Sequence, residues 1–135
     1  MAGLTDAQTE FLANPFVGAV TTLRKDGSPH TTVVWVDYDD GTVRFNTAVG
    51  RAKERHLRDD PRVSVTVVDP SNAYKWVSVT GRGELTTDGA DEHINKLTKK
   101  YIDKDEYPFR GPGEQRIMIR VTPERVDSYG FDADS

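Results

Sequence analysis

Short runs of β-branched residues separated by tight-turn signals most constrain the fold of this chain. Asp-Gly pairs occur at Asp26-Gly27 and Asp40-Gly41, each between two such runs. An Asp-Gly pair between apolar runs is a strong signal of a β-hairpin. The sequence also contains 15 valines and six leucines, a bias that suits the pleated surface of a sheet. The pattern therefore predicts a mainly β protein with antiparallel strands.

The turn signals divide the chain into predicted elements. Strands are predicted at residues 16–23, 29–38, 43–47, 62–68, 75–85, 116–121 and 125–129, the last two divided by Thr122-Pro-Glu124. The first three are expected to form a meander, and Gly81 and Gly83 predict a bend or bulge in the long strand. Helices are predicted at 5–13, where Thr5 and Gln8 have capping-box spacing, at 51–59 and at 88–102. Six or seven short strands with three helices indicate a small barrel with helices at its rim.

Length, charge and cysteine content exclude several classes of protein. The 135 residues fit a single domain spanning 1–135. The net charge of −4 argues against a nucleic-acid-binding protein, and the absence of cysteine excludes disulfides, thiolate metal sites and a cysteine nucleophile. No apolar run approaches the roughly 20 residues that span a bilayer. Residues 1–10 lack the regions of a signal peptide, so a cytoplasmic protein without membrane contact is expected.

The apolar content is low for a chain of this size. Hydrophobic residues make up 36% of the sequence, and a small domain with so few has little core to stabilise it. A partner subunit or a bound ligand is therefore expected to add buried surface.

The most informative segment is NTAVGRAKERHLRD, residues 46–59. Arg51 and Lys53 are expected in the first helical turn, where the helix dipole disfavours cations, and Glu54 is expected late, also against the dipole. A phosphate or carboxylate bound at the helix start would explain this arrangement, with Asn46 and Thr47 adding neutral hydrogen bonds. The alternative is a solvated basic helix with intrahelical pairs, Arg51 with Glu54 and Arg55 with Asp59. The residues alone leave both interpretations open.

Other candidate groups carry less information. His30, His56 and His93 have no metal-ligand spacing, so no metal site is predicted, and they are interpreted as ordinary surface or strand histidines. The carboxylates from Asp37 to Asp40 are interpreted as a turn. Trp35, Tyr74 and Trp76 are core residues by default, or flank a planar ring. No nucleophile elbow, dinucleotide fingerprint or Walker loop occurs, so the catalytic residue is unknown. This pattern is typical of enzymes whose cofactor reacts while the protein binds and orients.

Several motifs together resemble the pyridoxamine 5′-phosphate oxidase-like split-barrel superfamily, and within it the deazaflavin (coenzyme F420)-dependent oxidoreductases. The motifs are TLRKDGSPH (22–30), VWV (34–36), GRAKERHL (50–57) followed by DPR (60–62), YKWVSVTG (74–81) and RIMIRVTPERV (116–126). They extend over nearly the whole chain. The Arg-Ala-Lys helix start followed by Asp-Pro-Arg is the most specific of them. One departure is Arg55-His56, where relatives often carry Arg-Asn, and it bears on contacts beyond the phosphate.

The resemblance implies a six-stranded antiparallel split β-barrel, FMN-binding split barrel-like, that forms a homodimer with cofactor sites at the interface. By this analogy Arg51 and Lys53 hold the cofactor phosphate at the helix start with Ala52 between them, and Asn46 and Thr47 line the pocket. The ring system would lie beside the strand formed by Thr32, Val33, Val34 and Trp35. Tyr74 and Trp76 would approach it from the second subunit.

The resemblance also implies a reductase. Coenzyme F420 is the expected cofactor, with FMN as the alternative. Reduced deazaflavin would donate a hydride to an electron-poor small organic substrate, such as an unsaturated, quinone-like or tetrapyrrole-like compound. An FMN-dependent oxidase or reductase of the same fold and a non-catalytic cofactor-binding protein are the alternatives. Rim loops at 69–73 and 103–113 are the candidates for substrate contacts.

Overall fold

The computed structural model describes residues 3–131, and its elements follow the predicted order closely. The three helices are α1 (Asp6–Leu12), α2 (Ala52–Asp59) and α3 (Ala90–Ile102). The seven strands are β1 (Gly18–Leu23), β2 (Pro29–Val34), β3 (Asp37–Asp39), β4 (Thr42–Ala48), β5 (Arg62–Asp69), β6 (Asn72–Thr86) and β7 (Arg116–Tyr129). The capping box of α1 is formed by reciprocal hydrogen bonds between Thr5 and Gln8. The prediction of a mainly β, antiparallel fold with short helices is confirmed.

All strand pairs are antiparallel, in the order β2-β1-β5-β6-β7-β4-β3. The predicted three-strand meander is wrong, because the predicted strand 29–38 divides into β2 and β3, which lie at opposite edges of the sheet. The structure has seven strands, against the six that the resemblance implies. Only residues 35–36 connect the two edges. Val34 and Asp37 are joined by three Cα–Cα steps, which span about 11 Å at most, so the sheet must curl until its edges come close, which gives a split barrel.

Side chains of α3 explain why the strand breaks at Val36. Its N–H donates to the hydroxyl of Tyr101 at 3.0 Å, and its carbonyl accepts from Lys100 Nζ at 2.6 Å. Buried backbone groups need hydrogen-bond partners. Here a helix supplies them in place of a neighbouring strand, so the two edges need not pair.

The last strand is continuous, so the predicted division at Thr122-Pro-Glu124 is wrong. Gly81 of β6 lies opposite Pro123, and the register shifts between Thr80 and Gly81. A Cβ atom at Gly81 would lie 1.9 Å from the carbonyl oxygen of Thr122. The absence of a side chain therefore lets β6 bulge around the proline and keep pairing on both sides of it. The predicted bulge is confirmed at Gly81.

The barrel interior is filled by aliphatic and aromatic side chains from the inward faces of the strands. Its most buried members include Val20, Phe45, Val65, Val79, Ile119 and Val121. Within residues 3–131, no helix is long and apolar enough to cross a membrane. The same residues contain no group of three or more His, Asp or Glu side chains placed to hold a metal ion.

Candidate functional site

One cleft, with a volume of about 260 Å³, brings together most of the residues predicted to bind a ligand. It lies where β2, β4 and the start of α2 meet α3 and the loop after it. Among its lining residues are seven that the sequence analysis named: Val33, Val34, Trp35, Asn46, Thr47, Arg51 and Lys53. Of the other six, Tyr107 and Phe109 come from the rim loop predicted at 103–113, and the remaining four were not predicted to line a site: Val17, Ile94, Leu97 and Arg116.

Three cations surround one end of this cleft. Lys53 Nζ donates to Thr32 Oγ1 at 3.0 Å. Glu114 pairs with both arginines, with Arg51 Nη2 at 2.7 Å and with Arg116 Nη1 at 3.0 Å. Burial, together with the positive charges of Arg51 and Arg116, lowers the pKa of Lys53. A bound anion would relieve this crowding of charge, so the donor set fits a phosphate or carboxylate.

The start of α2 differs in one respect from the sequence-based expectation. Arg51 is the N-cap residue without a side-chain capping bond, and Lys53 lies in the first turn. Glu54 also lies in the first turn, where its carboxylate accepts from the N–H of Gly50 at 2.8 Å. The interpretation that Glu54 opposes the helix dipole is therefore wrong, because an acid in the first turn is favourable. The unfavourable charges at this helix end are Arg51 and Lys53.

The alternative of a solvated basic helix predicted intrahelical ion pairs, such as Arg51–Glu54 and Arg55–Asp59. One intrahelical pair of this kind is formed, between Glu54 and Arg58. Within residues 3–131, neither Arg51–Glu54 nor Arg55–Asp59 is formed. Arg51 pairs with Glu114 in the loop before β7, and Arg55 donates to a backbone carbonyl in the turn before the helix at 2.6 Å. Arg51 and Arg55 therefore bind partners outside α2.

Arg116 is the functional group that the sequence analysis missed. It is only 4% exposed, and its Nε donates to Asn46 Oδ1 at 2.9 Å. Its guanidinium lies over the ring of Tyr107, 4.8 Å from the centroid. In the β7 sequence, period-two alternation puts Arg116, Met118 and Arg120 on one face. That alternation was the available signal, but an arginine at a strand end reads as a solvated flank.

The other end of the cleft is apolar and aromatic. Val33 and Val34 of β2 line it, as do Ile94 and Leu97 of α3. Trp35 stacks on Tyr101, with centroids 5.4 Å apart and planes at 11°. A cleft with apolar walls and a cationic end suits a planar ring system that carries an anionic tail.

The loop after α3 adds two aromatic residues to the cleft. Tyr107 contacts Trp35 edge-on at 6.3 Å between centroids, and Phe109, which is 65% exposed, packs against Tyr107. Both come from the predicted rim loop at 103–113. The other predicted loop, 69–73, contributes no lining residue to this cleft.

Four predicted site residues lie outside the lining of the cleft. Thr32 contacts it through the hydrogen bond to Lys53. Ala52 lines a separate surface depression beside α2. Tyr74 is 75% exposed, and Trp76 lines a shallow groove on the outer face of the sheet. Within this one chain, Tyr74 and Trp76 therefore lie away from the cleft.

A buried polar network supports the cleft from behind. Arg44 donates to both carboxylate oxygens of Asp37, at 2.8 and 2.7 Å, and His93 Nε2 lies 3.2 Å from Asp37 Oδ1. Burial alone would raise the pKa of Asp37, but the hydrogen bonds from His93 and Arg44 outweigh it and hold that pKa well below its usual range. Burial lowers the pKa of His93, and the carboxylate of Asp37 offsets this only in part.

Two sequence interpretations fail at this network. Asp37 belongs to strand β3, not to a turn. His93 is not a surface or strand histidine, because it lies in α3 and is 3% exposed. Its position one residue before Ile94 and four before Leu97 places it beside the apolar stripe of the helix, which was the available signal.

The sequence matches the pyridoxamine 5′-phosphate oxidase family over residues 4–130. The chain belongs to this family. The resemblance drawn from its motifs is thereby confirmed. We therefore interpret the split barrel, the basic start of α2 and the cleft beside β2 as features of a member of this family.

The relatives agree with the deazaflavin branch of the superfamily. The chain is 26% identical over 123 residues to the F420H(2)-dependent biliverdin reductase of Mycobacterium tuberculosis (strain CDC 1551 / Oshkosh), covering 91% of this chain and 86% of the relative. A solved structure of an F420 reductase is 28% identical with a TM-score of 0.79, covering 92% and 98% of the two chains. A conserved hypothetical protein from Mycobacterium tuberculosis is 23% identical with a TM-score of 0.73, covering 93% and 84%, and shows the fold alone.

Proposed function

We propose that this protein is an F420-dependent oxidoreductase that reduces an electron-poor small organic compound. The observation that carries the proposal is the cleft itself, with three cations at one end and apolar walls at the other. Two relatives bear the names of F420-dependent reductases, which favours a deazaflavin over FMN. When bound, a reduced deazaflavin supplies a hydride.

The residues of the chain bind and orient in this proposal. Arg51 and Lys53 hold the phosphate, with Asn46 and Thr47 beside it in the lining of the cleft. Thr32 positions the ammonium of Lys53 through its hydroxyl. Orientation of two reactants and exclusion of water can lower a barrier by several kcal/mol, about 7–11 kcal/mol in favourable cases.

The apolar wall positions the ring. The ring lies beside the β2 backbone at Val33 and Val34 and the side chain of Trp35, and the stacking of Trp35 on Tyr101 keeps that side chain in place. Tyr107 and Phe109 lie where a substrate would enter. No side chain of the cleft is assigned as the proton donor.

A second copy of the chain completes the site in this proposal. Paired positions on neighbouring antiparallel strands share a face, and the register aligns Val33, Ala19, Thr66 and Ser78 in one row. The neighbouring row contains Thr31, Thr21, Ser64 and Thr80. These eight positions carry no charge and only small or medium side chains, and on β7 the two rows end at the charged residues Asp127 and Arg125.

This outer face has two properties of an interface between copies. Its hydroxyls bond to each other, Thr21 to Thr31 and Thr66 to Ser78, both at 2.8 Å, so part of their hydrogen bonding is kept when the face leaves water. It also reaches the cleft at Val33, which is 68% exposed. Two such faces packed together would bring the exposed aromatics of β6 from one copy towards the cleft of the other.

Substitution of Thr66 by Lys tests the dimer. A charge buried in a face without a partner is costly, so T66K is expected to sediment as a monomer and to bind F420 more weakly. Thr87→Lys, at an exposed position outside this face, is the control. A wild-type protein that sediments as a monomer would refute this part of the proposal.

Turnover tests the function directly. The protein is mixed with reduced F420 and a panel of quinones, tetrapyrroles and unsaturated ketones, and the reoxidation of F420 is followed by absorbance. Reoxidation above the rate without enzyme, for at least one acceptor, is expected. Tight F420 binding without turnover across the panel would favour a cofactor-binding protein, and turnover only with FMN would favour a flavin enzyme.

A further inference from the structure

A chain of buried hydrogen bonds joins the core network to the cleft. Asp37 Oδ1 lies 3.2 Å from His93 Nε2, and His93 Nδ1 lies 3.1 Å from Asn46 Nδ2. Asn46 Oδ1 then accepts from Arg116 Nε at 2.9 Å. All four residues are less than 9% exposed. The chain begins at a carboxylate that does not line the cleft and ends at a guanidinium that does.

The donors and acceptors along this chain are fully determined. The amide nitrogen of Asn46 also donates to the carbonyl of Ala90 at 3.0 Å, and guanidinium Nε can only donate. The contact with Ala90 identifies the amide nitrogen of Asn46, and the contact with Arg116 identifies its amide oxygen. Because the amide nitrogen can only donate, His93 Nδ1 must accept. His93 is therefore neutral, with its proton on Nε2 directed at Asp37.

These hydrogen bonds leave one nitrogen of Arg116 for a ligand. Nε is taken by Asn46 and Nη1 by Glu114, and the guanidinium is packed over Tyr107. Within residues 3–131, Nη2 has no hydrogen-bond partner. A guanidinium fixed at two nitrogens presents the third in one direction, so less entropy is lost when an anion binds to it.

We propose that His93 is a positioning residue that, through Asn46, holds Arg116 as a third anion-binding group of the cleft, beside Arg51 and Lys53. The ligand is the phosphate of the cofactor. The identity of that cofactor rests on the function proposed above, whereas the positioning of Arg116 does not. Asn46 thereby acquires a role different from the direct hydrogen bond that the sequence indicated.

Protonation of His93 would break this chain of hydrogen bonds. Nδ1 would become a donor facing the donor Nδ2 of Asn46, and a turned amide would present that nitrogen to Arg116 Nε, which is also a donor. The charged groups that face His93 are Asp37 from β3, which favours protonation, and Arg44 from β4 and Arg120 from β7, which oppose it. Cofactor affinity is thus expected to fall at acidic pH through His93.

Two substitutions of His93 test its hydrogen bond to Asn46 and its hydrogen bond to Asp37 separately. Asn at position 93 can place its oxygen near the Nδ1 site and keep the acceptor for Asn46. Gln can place its nitrogen near the Nε2 site and keep the donor for Asp37. We expect His93→Asn to bind F420 within about twofold of wild type, and His93→Gln to bind roughly tenfold or more weakly, the loss typical of a charge-assisted hydrogen bond. Melting temperatures of both variants report any loss of folding.

A double-mutant cycle tests whether His93 acts through Arg116. Arg116→Gln is expected to weaken F420 binding roughly tenfold in the wild type and to add little in the His93→Gln background, because the group it removes is already misplaced. Losses that add in full would overturn the proposal. So would equal affinities for the two His93 variants, which a purely structural role predicts.

A cofactor-free measurement separates this inference from the proposed function. The ¹⁵N–¹H signal of Arg116 Nε reports its bond to Asn46, and it should be protected from exchange in wild type and His93→Asn and lost in His93→Gln. Inorganic phosphate should shift this signal in the wild type. A wild type that binds neither F420 nor FMN would refute the proposed function. A signal that phosphate does not shift, or that persists in His93→Gln, would refute the inference.

Discussion

Replacement of Lys53 by Met is the sharpest test of the cationic cleft. Met keeps the unbranched shape of the side chain and removes the ammonium that lies 3.0 Å from Thr32 Oγ1. If this ammonium donates to a bound phosphate, its removal deletes one charge-assisted hydrogen bond, which contributes about 1.5–3 kcal/mol. The dissociation constant of the cofactor should then rise roughly 10- to 140-fold.

The same substitution should leave the unliganded protein as stable as before, or more stable. Burial and the charges of Arg51 and Arg116 lower the pKa of Lys53, so its charged form is disfavoured in the folded, empty protein. A methionine avoids this unfavourable charge. Loss of affinity without loss of melting temperature is the expected signature of a residue kept for binding rather than for folding.

The assay is a fluorescence titration with F420 at constant ionic strength, paired with thermal unfolding of the unliganded protein. Lys96→Met is the matched control, since Lys96 is an exposed residue of α3 outside the cleft. The affinity of the wild type for F420 is expected to decline at alkaline pH, because a bound anion favours protonated Lys53. Lys53→Met should not show this decline. Unchanged affinity in Lys53→Met would refute the assignment of α2 as the phosphate site.

Two further predictions concern the fold behind the site. Asp37→Asn leaves Arg44 buried without its carboxylate and should lower the free energy of unfolding by about 3–5 kcal/mol. The pKa of Asp37 in the folded protein lies below its unfolded value. Its contribution to the free energy of unfolding is therefore present above about pH 4 and is lost as the pH falls further. Denaturant unfolding of the variant should accordingly depend less on pH in that range. Gly81→Ala places a Cβ against the carbonyl of Thr122 and should cost about 3 kcal/mol or more in the same assay. A melting temperature equal to that of wild type would contradict the bulge geometry.

The sequence predicted the local elements and the start of the site because both depend on nearby residues. The turns, the capping box at Thr5 and the bulge at Gly81 follow from backbone preferences within a few positions. The concentration of cations at Arg51 and Lys53 is equally local. Each of these could be found from a short window of sequence.

Apart from the place of Glu54 in the first turn of α2, the features that the sequence did not predict depend on contacts between distant segments. The break at Val36 is made possible by Lys100 and Tyr101, 64 and 65 positions later. Arg116 joins the cleft through Asn46, 70 positions earlier. A pattern within one strand contains no record of such partners, so it predicts one strand over 29–38 and does not indicate that Arg116 lines the cleft.

A direct comparison of cofactors tests the central claim. The purified protein is titrated with F420 and with FMN in the same buffer, and binding is followed by fluorescence and calorimetry. The cleft and the relatives predict binding of F420 that is tighter than that of FMN and that weakens in Lys53→Met. Tighter binding of FMN, or no binding of F420, would contradict the proposed function.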